Sequence, residues 1–160
     1  LVNDLLELSK IERHGFTLDV TPTKLQDILV RVVDLTSSQL ESKNMQFDVK
    51  IEQDAVILGD VNRLMQIFTN LINNAIAYSK EGTTVTLCIS ANEQYGIFEV
   101  KDEGIGIEKA EISRIFERFY RVDRARSRNS GGTGLGLSIV KHLIEAHQGK
   151  IQNEYDLKSF

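Results

Sequence analysis

Residues 70–75 read Asn-Leu-Ile-Asn-Asn-Ala (NLINNA), and they sit inside a helical pattern. Leu64, Ile67, Phe68, Leu71, Ile72 and Ala75 recur at i, i+3, i+4, i+7, i+8 and i+11, the period of a helix with one buried face. Asn70 and Asn74 are four apart, so they stack on one side of that helix and flank its apolar stripe. Amides at the margin of a core are costly unless they find partners. Two readings stay open on this stretch alone. The pair faces a pocket and offers carbonyl oxygens to a hard cation, which prefers oxygen ligands, or it belongs to an ordinary helix surface with local hydrogen bonds.

Upstream, Leu1, Leu5, Leu8 and Ile11 step along LVNDLLELSKIE as the end of an amphipathic helix. Its partner is either a second helix in a bundle or the domain that follows. His14-Gly15 ends it, and Phe16 to Pro22, holding the only proline, reads as an extended linker and domain boundary. Leu25, Ile28, Leu29, Val32, Val33 and Leu40 give a second helix over Lys24 to Leu40. Met45, Phe47, Val49 and Ile51 alternate as a half-buried strand, and Ala55 to Leu58 is a short strand. Asp60 is placed to cap the central helix, which runs to about Ser79 before a turn at Glu81-Gly82. Val85, Leu87 and Ile89, then Phe98 and Val100, alternate as a hairpin joined by Asn92 to Gly96. Asp102 shares the parity of Phe98 and Val100, which sets its carboxylate at the inner rim of the sheet if those two face the core. A polar stretch from Ile107 to Thr133 holds one short helical piece, AEISRIFERF. A last helix begins at Leu137 and stops at Gly149, and Lys150 to Tyr155 reads as a strand.

The 160 residues suffice for one domain with a core and a small appendage. A charge of −4 argues against nucleic acid as partner, although Arg114, Arg118, Arg121, Arg124, Arg126 and Arg128 cluster in one stretch. The lone Cys88 excludes an internal disulfide and a cysteine-rich metal site, and it reads as a small core or sheet-face residue. No apolar run approaches the roughly 20 residues that span a bilayer. With no initiating Met and an opening in mid-pattern, the expectation is an excised fragment of a parent that is free to be membrane-bound.

Two later motifs bear on chemistry. In DEGIG (102–106), Gly104 and Gly106 allow close backbone approach, and an ionised Asp102 accepts hydrogen bonds from an exocyclic amine such as adenine N6. A plain turn after a strand uses the same letters. GGTGLGL (131–137) places Gly132, Gly134 and Gly136 at the start of a helix, where backbone N–H groups and the dipole form an anion site to which Thr133 adds a hydroxyl. A flexible hinge is the alternative, and neither dinucleotide nor Walker spacing is met. The arginines between these motifs either offer charge to phosphates or form a solvated basic loop, and Arg118 stands out because Phe116, Phe119 and Tyr120 surround it as anchors. One purine, one triphosphate and one Mg²⁺ would satisfy the amide pair, the acid, the arginines and the glycines together.

These residues closely resemble the ATP-binding domain of sensor histidine kinases, in the superfamily of the gyrase, Hsp90 and MutL ATPases. NLINNAIAYS resembles the N box, DEGIG the G1 box, FERFYR the F box and GGTGLGL the G2 box, over about residues 16 to 155. The fold this implies is α+β, a two-layer α/β sandwich of the Bergerat type: a mixed sheet with helices on one face and a mobile ATP lid. Carried over by position, Asn74 is the Mg²⁺ ligand, with Asn70 beside it acting in catalysis together with Arg118. Tyr78 lies near the nucleotide, Asp102 binds the adenine amine, and Gly104, Gly106 and Ile107 follow it. Arg118 and Tyr120 approach the phosphates, and Gly132, Thr133, Gly134, Leu135, Gly136 and Leu137 wrap them. Residues 1–15 resemble the end of the dimerisation and phosphoacceptor helix. The resemblance makes residues 16–160 the ATP-binding catalytic domain, with a truncated C-terminus as the expectation. Within the family, the chain is most like the phosphate-starvation and cell-wall sensing kinases.

The resemblance implies transfer of the ATP γ-phosphate to a histidine on an upstream domain, then relay to a response regulator aspartate. It also implies homodimerisation of the parent, a cytoplasmic domain beneath a bacterial membrane, and no nucleic-acid partner. Three departures qualify it. Ala77 stands where many members carry a phosphate-contacting lysine, and IQNEYDLKSF lacks the usual late glycine motif and final strand. None of His14, His142 and His147 has a phosphoacceptor setting, so the fragment is not expected to autophosphorylate. His14 reads as helix-end punctuation, and His142 and His147 as structural or surface residues. Two other readings compete: a superfamily ATPase, disfavoured because Asn70 cannot take a proton, and a non-catalytic nucleotide-binding interaction module.

Overall fold

The computed structural model describes residues 2–13, 15–102 and 135–149, the side chains of Val2 and Asp4 excepted. The chain divides into two compact units, Leu18–Ile105 and a second made of Leu1–Thr17 with Gly106–Phe160. The expected lid, the short helical piece, the strand at 150–155 and His14 all lie outside the described residues.

In the first unit the described elements run β1 (Thr21–Lys24), α2 (Leu25–Ser42), β2 (Gln46–Ile51), β3 (Val56–Gly59), α3 (Val61–Tyr78), β4 (Thr84–Ala91) and β5 (Gly96–Lys101). β2, β4 and β5 form a mixed sheet in that order, β2 parallel to β4 and β5 antiparallel to it. The parallel pair needs a crossover, which β3 and α3 supply. One face of β4 is apolar: Val85, Leu87 and Ile89 are fully buried. Ile28, Leu29 and Val32 of α2 and Ile67, Phe68, Ile72 and Ala75 of α3 complete this core. The Phe68 ring stacks on Phe98 of β5 with centroids 3.9 Å apart. Val33 and Leu71, expected on the buried faces, are half-buried at their margins.

β1 replaces part of the expected linker. Thr21 to Lys24 pairs antiparallel with β3, Pro22 opposite Leu58. Thr23 is buried and donates its hydroxyl to the carbonyl oxygens of Thr21 (2.9 Å) and Gly59 (3.3 Å). This small sheet meets the start of β5 at Gly96, where a Cβ would stand 2.8 Å from Ile57 Cγ2 and 2.9 Å from Leu25 Cδ1. Along β2 the expected half-buried face is reduced to Phe47, and Val49 and Ile51 are 44% and 42% exposed. They line the outer margin of the sheet, where β4 is the one strand paired with β2 among the described residues.

In the second unit, α1 (Val2–Glu12) packs on α4 (Gly136–Ala146). Leu8 and Ile11 are buried, as are Leu135, Ile139, Val140 and Leu143, so α1 finds a partner within its own chain. Leu5 and Leu6 stay exposed at 44% and 56%. His142 Nε2 lies 3.8 Å from the Glu12 carboxylate, and His147 Nδ1 lies 2.7 Å from the Leu143 carbonyl oxygen. Both histidines are thus engaged structurally. α4 starts one residue earlier than expected. At its end Gln148, not Gly149, takes the left-handed conformation (φ 60°), and the Gly149 N–H donates to Ile144 O at 2.9 Å.

Candidate functional site

α3 carries the candidate ligands because its sequence leaves one flank polar. Asn70, Asn74 and Tyr78 repeat every four residues, which places them on a single stripe beside the buried face, and each is half-buried. Tyr78 closes the helix, and Asn74 lies one turn before it. Asn73 is on a different side, and its Oδ1 is buried with no hydrogen-bond partner, a state that costs about 1–3 kcal/mol unless a donor such as an ordered water reaches it.

Both ends of α3 are held by ionic side chains. At the start, Asp60 Oδ1 accepts the Arg63 N–H at 3.2 Å, and Oδ2 accepts the Asp19 N–H at 3.0 Å. Burial raises the pKa of this carboxyl, but N–H donors from Asp19, Arg63 and Asn62, with the Arg63 charge, outweigh it and hold the pKa below the usual aspartate value. At the other end, Ser79 Oγ donates to Ala75 O at 2.5 Å, and the Lys43 ammonium donates to Ser79 O at 2.7 Å and Ile76 O at 2.5 Å. Lys43 was invisible to the sequence reading, because it ends α2 and lies far from α3 along the chain.

Topology sets Asp102 at the same end of the sheet. Residues 79–83 alone join α3 to β4, so the C-terminus of α3 lies where β4 begins. β5 runs antiparallel to β4 with Lys101 opposite Thr86, so β5 finishes there too. Phe98 and Val100 register with Ile89 and Leu87 of the buried face, which meets the condition for placing Asp102 on the core-side parity. Asp102 itself is exposed, one residue past the strand. Tyr78 and Asp102 are therefore brought to one end of one sheet, with Asn74 one turn and Asn70 two turns back along α3. Leu135, Gly136 and Leu137 open α4 in the other unit. Gly104, Gly106, Ile107, Arg118, Tyr120, Gly132, Thr133 and Gly134 lie outside the described residues.

Cys88 is not poised as a nucleophile. Cys88 is buried on the polar face of β4, and its thiol pKa is pushed up by desolvation, by the charges of Glu52 and Glu99 and by a hydrogen bond with Glu52. Among the described residues no group of three or more His, Cys, Asp or Glu is placed to hold a metal, and no helix is long and apolar enough to cross a membrane.

Residues 59–158, more than half of the chain, match the family model for histidine kinase-, DNA gyrase B- and HSP90-like ATPases. The sensor histidine kinase WalK of Bacillus subtilis is 38% identical over 157 residues, covering 94% of this chain and 25% of its own length. The sensor-like histidine kinase SenX3 of Mycolicibacterium smegmatis is 38% identical over 154 residues, covering 95% of this chain and 40% of its own. The chain thus spans less than half the length of these two relatives. Among solved structures, full-length ShkA in complex with AMPPNP superposes with a TM-score of 0.78 at 31% identity, over 91% of this chain and 30% of that one.

Proposed function

Because the chain belongs to the family of histidine kinase-, DNA gyrase B- and HSP90-like ATPases, we propose that it is the ATP-binding catalytic domain of a sensor histidine kinase. The observation that carries this reading is the half-buried stripe of Asn70, Asn74 and Tyr78 on α3, at the sheet end where Asp102 leaves β5. In this reading Asp102 accepts a hydrogen bond from the exocyclic amine of adenine, which an ionised carboxylate is able to receive. Asn74, with Asn70 beside it, offers neutral oxygens to Mg²⁺. Held there, the ion would supply positive charge against the phosphates.

An asparagine pair is a modest ligand set. Mg²⁺ usually keeps several waters and relies on substrate phosphates rather than on a protein cage. The side chains therefore fit a metal that arrives with the triphosphate and not a resident one. Asn70 is an amide and cannot take a proton from water, so transfer to a positioned acceptor is favoured over hydrolysis. Catalysis is then orientation and charge neutralisation, which requires no covalent nucleophile. In the same reading Arg118, Tyr120 and the glycines at 132–136 are the candidate phosphate ligands. The acceptor is a histidine of an upstream domain, the phosphate passes to a response regulator, and the full-length parent is a membrane-anchored homodimer.

Calorimetric titration with Mg²⁺ and a non-hydrolysable ATP analogue tests this. The wild-type chain binds the pair and does not bind Mg²⁺ alone. Asn74→Ala weakens the metal-dependent part by about tenfold or more, and Asp102→Asn weakens ATP while leaving folding unchanged. Equal weak binding by all three proteins would mean a non-catalytic module instead.

A further inference from the structure

Lys43 stands at the handover from α2 to β2. Its backbone N–H closes α2 on Leu40 O at 3.2 Å, and its carbonyl accepts the Gly82 N–H at 3.1 Å from the α3–β4 turn. Its side chain crosses to α3. The last four carbonyls of a helix have no partner within it. In α3 these belong to Ala75, Ile76, Ala77 and Tyr78, and the last turn holds no basic residue. Ser79 Oγ takes Ala75 O. The Lys43 ammonium reaches Ile76 O, Ala77 O at 3.5 Å, and Ser79 O just beyond. An ammonium offers three donors and a compact charge, which suits three converging carbonyls at the negative end of a helix dipole.

The carbonyls it holds bracket Tyr78, and Asn74 lies on the preceding turn. We propose that Lys43 is a positioning residue for the nucleotide: it fixes the last turn of α3, and with it the presentation of Asn74 and Tyr78, without touching the ligand itself. This rests on the reading of Asn74 and Tyr78 as nucleotide-facing. It makes the geometry of the site depend on a side chain from the opposite helix.

The test compares Lys43→Met with Gly96→Ala in the whole 160-residue chain. Gly96 lies at the opposite end of the sheet, beside Ala91, and a methyl there strains the packing against Ile57 and Leu25. Both variants should unfold at lower urea than the wild type. Only Lys43→Met should weaken binding of the Mg²⁺-loaded, non-hydrolysable ATP analogue, by about tenfold, as expected for a residue one shell away from the ligands. Where Lys43→Met does not fold, Lys43→Arg replaces it, with amide exchange of residues 74–79 read alongside affinity. Faster exchange together with weaker binding supports the proposal. Unchanged affinity in the folded Lys43 variant, or an equal loss in Gly96→Ala, overturns it. A wild-type chain that takes up no nucleotide overturns the function first and this role with it, whereas wild-type binding with an indifferent Lys43 variant removes this role alone.

Discussion

α2 and α3 are both 18 residues long and pack side by side on one sheet, yet their ends are closed in different ways. α2 is closed by backbone. Its first N–H donates to Ala55 O at 2.9 Å, its cap Lys24 makes no side-chain bond, and the N–H groups of Lys43, Asn44 and Met45 return to Leu40 and Glu41 carbonyls. α3 is closed by a carboxylate at one end and an ammonium at the other. The signs are those that favour a helix dipole. The ends of the helix that only fills the core are thus closed without an ionised side chain, and those of the helix that carries the candidate ligands are closed by two charged groups.

The comparison is sharpened first in the core, where the helices should behave alike. Phe68→Ala should cost about 3–5 kcal/mol and Leu29→Ala about 2–5 kcal/mol, read from urea unfolding. A harmless Leu29→Ala would break the equivalence. At the ends the helices should part. Asp60→Ala should cost about 0.5–2 kcal/mol, whereas Lys24→Ala should stay within about 0.5 kcal/mol. Equal losses at the two caps would erase the distinction. The smallest effect is in pH. The Asp60 pKa is lowered on folding, so its contribution is present above the ordinary aspartate range and is lost as pH falls through the folded value. Asp60→Asn retains a good cap and should lose less stability than the wild type on acidification. Parallel curves for the two proteins would count against a charge-dependent cap.

What the sequence showed and what it hid follow the same division. The period of α3, the Asp60 cap, the β4–β5 hairpin and the parity of Asp102 rest on neighbours within a few residues, and each is as expected. β1 was missed because TPTK has no apolar alternation and contains a proline, and its partner β3 comes more than thirty residues later. α1 left two partners open because a seam of leucines does not name what it meets, and α4 lies at the far end of the sequence. The Lys43 clamp is a tertiary hydrogen bond between segments with no pattern in common. The exposure of Val49 and Ile51 depends on how far two helices cover a strand, which alternation cannot tell.

The parallel pairing of β2 with β4 has a consequence for the order of assembly. The β4–β5 hairpin closes over a loop of four residues, 92–95, so it forms at little entropic cost. The register of Gln46 with Thr84 must wait until the whole of 47–83, α3 included, has been gathered into place. The helix that bears the asparagines is therefore part of the bridge by which the sheet gains its first strand, and a chain in which α3 fails to form has no route to the remainder of this architecture.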